Sequence, residues 1–303
     1  MNSKLKTIFT RLVSRGTPAA GICIAVCLTL AFFLDFDTKI GYFASASPFP
    51  WIATGIAVLF LIAVAVDAIC FLRQKDLADS FAIRPDLRVA AAIAAVAFLF
   101  WGFTAAGTAS AADEGIRRIL LYLAAIASLP AAGYYLTVTR GKTGSAGNAL
   151  SLFLPVAGAL LLGVTYFDYF TPINGAVKIP LQLGIVAVLI ADLQELRLRI
   201  GGTYARPRVA FAVLTSSGML CVGVSLPVLV ATAAGILKFS EYTACAALLL
   251  SAGIYQFALG RTLLPAKGSN AISDGRTDGN ENESYNEESV DTAQTSDDNS
   301  NNE

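Results

Sequence analysis

Apolar runs of roughly twenty residues recur along the whole chain, separated by short polar or charged connections. A helix needs about 20 apolar residues to cross a hydrocarbon core about 30 Å thick, so runs of this length predict membrane spans. Set against the charged punctuation, the pattern gives eight. They are Thr17–Leu34, Trp51–Leu72, Val89–Gly107, Ile119–Thr139, Ala149–Phe167, Ile179–Leu198, Val209–Val230 and Tyr242–Gly260. The expected fold class is all-α, a polytopic helical membrane bundle of about eight transmembrane helices. Residues 1–16 form a basic cytoplasmic N-terminus, 17–264 the transmembrane helical domain, and 265–303 an acidic cytoplasmic tail.

Charge sharpens this picture. The chain is 55% hydrophobic and 15% charged, against about 25% charged for soluble domains. Its net charge of zero hides two unlike parts. From Gly268 to Glu303 there are ten acids against Arg276 alone, and residues 1–267 hold 21 bases and 12 acids. The body is +9 and the tail −9. The tail is rich in Asn, Asp, Glu, Ser and Gly, too polar to bury enough surface to offset ordering entropy, so disorder is expected.

With the N-terminus inside, 17 of the 22 Lys and Arg residues fall on inside segments and five on outside ones. The positive-inside rule then favours eight spans with both termini cytoplasmic. The basic start, the apolar run and Ala44–Ala46 also fit a cleavable signal, but Asp35, Asp37 and Lys39 intervene before that site, which argues against cleavage.

Candidate chemistry is sparse. There is no histidine, which removes His-based acid–base pairs and most zinc sites. No Gly-rich phosphate loop or GxSxG elbow is present. The chain is therefore expected not to be an enzyme, to need no metal or cofactor, and to bind no nucleic acid. Cys23, Cys27, Cys70, Cys221 and Cys245 all lie in apolar runs and read as small buried side chains.

An ionisable group within a span marks function by default, because it costs about 2.5–3.5 kcal/mol at a helix centre. Asp67 and Asp192 qualify, both expected near inner span ends. Neither has the GxGD context of an intramembrane aspartyl protease. Asp67 is expected to meet nearby loop bases, and Glu195 to pair with Arg199 one turn on. The seventh apolar run carries Thr215, Ser216, Ser217 and Pro227. It reads either as a broken helix offering polar groups to a substrate or as a bent helix whose hydroxyls bond their own backbone. The alanines of the third span, Ala90, Ala91, Ala94 and Ala95, place that helix centrally, since small residues allow close approach.

Between spans five and six lies "TYFDYFTPINGAVKIPLQ", Thr165–Gln182. Its aromatics suit headgroup depth and its Pro and Asn-Gly suit a turn. Asp168 is its unexplained acid and a candidate site residue. This stretch, with "ADLQELRLRIGGTYARPR" after it, resembles a group of multi-span membrane proteins of clostridia-like Gram-positive bacteria that has no assigned activity. The resemblance implies a multi-pass protein of a bacterial cytoplasmic membrane and no mechanism.

Two function classes follow. One is a transporter-like bundle for a small solute, using Asp67, Asp192 or Glu195 and the hydroxyls of span seven. The other is a non-transporting sensor, scaffold or assembly partner whose acidic tail recruits a cytosolic protein. The lipid bilayer is the partner common to both, and the sequence assigns no oligomeric state.

Overall fold

In the computed structural model the described residues are 3–70, 77, 83–112, 115–141, 145–168, 175–204 and 206–264, with side chains from residue 13 onward except residue 146. The acidic tail and residues 169–174 of the Thr165–Gln182 stretch lie outside the described residues.

Nine helices are present among them: α1 (Ser3–Leu34), α2 (Phe49–Cys70), α3 (Pro85–Ala111), α4 (Ile116–Thr139), α5 (Ser145–Ser151), α6 (Phe153–Tyr166), α7 (Gly175–Gly201), α8 (Pro207–Ala233) and α9 (Glu241–Thr262). Counting α5 and α6 as one crossing, eight helices are long and apolar enough to span a membrane. The fifth run is split because Pro155 has no N–H to return to the carbonyl of Ser151, and the chain turns once at Leu152. Elsewhere Pro18, Pro130, Pro180 and Pro227 sit inside continuous helices. Sequence reading placed Pro180 in a first turn; α7 starts at Gly175, so this proline is interior. The seventh run is likewise one unbroken 27-residue helix, α8, which removes the broken-helix reading.

The helices alternate in direction. The end at which α4, α7 and α9 begin is called the upper end here. Centrality follows from burial: 78% of the apolar window of α9 is buried, against 22% for α2. Helix α9 packs against α8, α3 and α7. Helix α3 packs on α4, α4 on α6, α6 on α7 and α7 on α8, closing a six-helix ring, with α1 and α2 attached beside α8. Small residues set these distances. A Cβ on Gly102 of α3 would lie 2.1 Å from Ser128 Oγ of α4, and one on Gly253 of α9 would lie 2.8 Å from Cys221 Cβ of α8. Ala90, Ala91, Ala94 and Ala95 are all buried, as their spacing predicted.

Two short strands went unforeseen. β1 (Phe36–Asp37) and β2 (Tyr42–Phe43) pair antiparallel at the upper end. Gly41 turns the hairpin at φ 70°, a conformation that favours glycine. Phe36 and Phe43 pack against Phe32 at 5.1 and 5.0 Å. The Ser47 hydroxyl closes the loop by donating to Asp35 at 2.6 Å. Around the bundle, large apolar side chains such as Ile22, Leu59, Ile69, Phe103 and Ile126 stand exposed, far more apolar surface than a soluble monomer presents. Cys23 and Cys70 belong to this surface, while Cys221 and Cys245 are buried; the expectation that all five are buried is corrected.

Candidate functional site

Three groups of buried charge lie inside the bundle, each assembled from residues distant in sequence. The first is at the lower end. Asp67 of α2 accepts two hydrogen bonds from Arg208 of α8, at 3.0 and 3.1 Å. Their side chains are 1% and 2% exposed. Arg208 stands in the first turn of α8, and the bases of the loop adjoining α2, Arg73 and Lys75, lie outside the described residues. One guanidinium nitrogen reaches both carboxylate oxygens, a close buried pairing that reads as structural.

The second group joins the upper ends of four helices. Asp168, just past α6, accepts the Tyr242 hydroxyl of α9 and lies 3.6 Å from Arg117 of α4. Arg117 is also paired with Glu241 at the start of α9. Lys178 of α7 donates to the backbone carbonyl of Asp168 at 2.6 Å. Asp168 therefore holds α4, the end of α6, α7 and α9 together.

The third group is the deepest. Glu195 of α7 accepts the hydroxyls of Tyr134 (α4) and Tyr255 (α9), and Arg199 lies one turn on at 3.6 Å. Arg199 Nε donates to Tyr134 at 2.8 Å, and its guanidinium sits 5.2 Å from the centre of that ring. Tyr135 packs edge-on to Tyr255 at 4.8 Å and also touches Phe98. The expected Glu195–Arg199 pair is present, but two tyrosines dominate the acceptor side. Tyr204, past the end of α7, is buried nearby with its hydroxyl unpaired; burial and the Glu195 charge push its phenol above the ordinary range.

Asp192 sits one turn before Glu195 and is 2% exposed. Because α7 continues to Gly201, it lies nine residues from the helix end, roughly 13 Å in, deeper than sequence reading placed it. Among the described residues no hydrogen bond or ion pair ties down its carboxylate. It faces a narrow cavity between α3, α6, α7 and α9, at mid-height of the bundle, lined also by Phe98, Trp101, Gly158, Val188 and Ala252. The cavity volume is about 10 Å³, room for one water-sized particle. Arg199 pairs with Glu195, and among the described residues no base is paired with Asp192. An extra buried negative charge at this depth costs several kcal/mol unless a proton or a bound cation offsets it.

The remaining candidates do not join this site. Thr215 bonds back to the carbonyls of Phe211 and Ala212 at 2.8 and 3.2 Å. Ser217 is buried 4.0 Å from Cys221, whose thiol donates to the Gly184 carbonyl at 3.6 Å. Ser216 is half-buried, and neither serine lines the cavity. Sequence reading missed Tyr134, Tyr255, Arg117, Glu241 and also Gln256, which is 2% exposed with both ends of its amide unpaired. For Tyr134, Tyr255 and Gln256 the signal was there: hydrogen-bonding side chains inside apolar runs, without charge to draw the eye. No family model, no curated protein and no solved structure matches this chain.

Proposed function

We propose that this chain is a transporter-like protein of a bacterial cytoplasmic membrane that moves a small solute, with Asp192 and Glu195 coupling the movement to a proton or cation. The observation that carries this reading is the placement of Asp192. Its carboxylate is buried without a hydrogen bond and faces a cavity at mid-height of eight apolar helices. Intramembrane carboxylates facing a cavity mark solute and proton pathways, because so costly a group persists where it has work to do.

Two further features support it. The charge pattern of the loops puts the upper end outside. The Arg117–Asp168–Glu241 group then closes the cavity from outside, and the Glu195–Tyr134–Tyr255 group closes it from inside. Both groups cross-link α4, α7 and α9, above and below the cavity. That is the arrangement of an occluded state, in which opening one side requires breaking one charged cluster while the other holds.

The test is proton entry into liposomes containing the full-length protein, followed with an enclosed pH dye under a potassium-diffusion potential, with a panel of small cationic and neutral solutes outside. Wild-type protein should acidify the lumen at least about tenfold faster than Asp192→Asn, about 1.4 kcal/mol in barrier. Equal rates for the two would overturn the proposal. The second reading, a membrane scaffold recruiting a cytosolic protein, rests on the −9 tail; it gains if flux is absent while a chain cut after residue 267 loses a partner that the whole chain retains.

A further inference from the structure

We infer that the cavity beside Asp192 is a binding site for the ammonium ion. The inference rests on the transporter reading only for what the bound ion does next; binding stands on the geometry of the cavity itself. Three properties of the site converge. Its volume, about 10 Å³, admits one water-sized particle, and ammonium is of that size. Its floor is a single carboxylate, 2% exposed, with no hydrogen bond of its own, so the ion that fits is a cation able to donate an N–H. Its walls include the rings of Trp101 and Phe98, whose quadrupoles attract a cation, Trp the more strongly.

The same walls exclude the common competitors. Sodium, potassium, magnesium and calcium replace lost hydration with several oxygen ligands. Apart from Asp192 the described lining residues are Phe, Trp, Ala, Gly, Leu, Ile and Val. One carboxylate among carbon atoms cannot complete such a shell. An ammonium ion needs fewer partners, because aromatic rings and methyl groups are acceptable neighbours for its remaining faces. Ammonium is the largest ion the closed form takes without helix movement, and methylammonium is already too large. Tetramethylammonium is larger still.

The chain offers its own reporter. It contains two tryptophans, Trp51 and Trp101, and Trp51 is exposed on α2. In a full-length Trp51→Phe protein held in detergent, all tryptophan fluorescence comes from the cavity wall. Titration with ammonium chloride should change it saturably, while sodium chloride, methylammonium chloride and tetramethylammonium chloride at equal ionic strength should not. Asp192→Asn should weaken the response at least about 30-fold, the effect of removing one partner of a buried charge pair. Ala157→Val keeps the carboxylate but fills the cavity from α6, and should abolish the response while thermal unfolding of the protein is retained. An equal response to sodium or methylammonium, an unaltered titration in either variant, or no response to ammonium chloride would overturn the site. Flux plays no part in this measurement. A positive titration with no proton flux would leave the site and remove the transporter reading, and the reverse pair of results would do the opposite.

Discussion

At the scale of single residues, the bundle treats its buried charges in two ways. Asp67 and Arg208 complete one another with two hydrogen bonds and almost no exposure. Removing one member leaves a bare charge in a low-dielectric interior, which costs about 3–5 kcal/mol, whereas replacing both with apolar residues is close to neutral. Arg208→Met should therefore unfold in detergent at markedly lower temperature, and adding Asp67→Leu should restore most of the loss. A double variant as unstable as the single one would mean the pair does more than hold α2 to α8. Asp192 is the opposite case, a carboxylate with a cavity where its partner should be. That contrast separates a fastening from a site, and neither depth nor residue type revealed it in advance.

At the scale of helices, the eight long apolar helices were legible because a run of apolar residues long enough for a bilayer is a local property. Their packing was partly legible too. The alanine spacing of α3 predicted a buried helix, and all four alanines are buried. What could not be read was which helices exchange polar contacts. Glu195 meets Tyr134 and Tyr255 at separations of 61 and 60 residues, and Asp168 meets Tyr242 at 74. Such contacts depend on how helices are arranged around one another, and a single sequence carries no periodicity that encodes it. The two-stranded hairpin was missed for a similar reason, since two residues per strand leave no alternation to detect. Contact between α3 and α4 gives a sharp test. Gly102→Ala places a methyl 2.1 Å from Ser128 Oγ and should destabilise by about 1–3 kcal/mol. Ser128→Ala in the same chain should recover part of that loss, read as a rise in the unfolding temperature.

At the scale of the whole molecule, burial grades the five cysteines into a map of the fold. Cys23 and Cys70 are exposed, Cys27 is intermediate, and Cys221 and Cys245 lie in the α8–α9 centre. Maleimide labelling of the folded protein in detergent, resolved by peptide mass, should modify Cys23 and Cys70 well before Cys221 and Cys245, and all five once the chain is unfolded. Early labelling of Cys221 would contradict the central position of α8. The link between Asp67 and Arg208 also has a history in time. The two residues are 141 positions apart, so at about 5–20 residues per second roughly 7 to 28 s separate their synthesis. Throughout that interval the second helix carries a carboxylate that has not yet met Arg208. Its seat beside α8 forms only after the helices between them have been made, so one of the earliest helices completes its packing late.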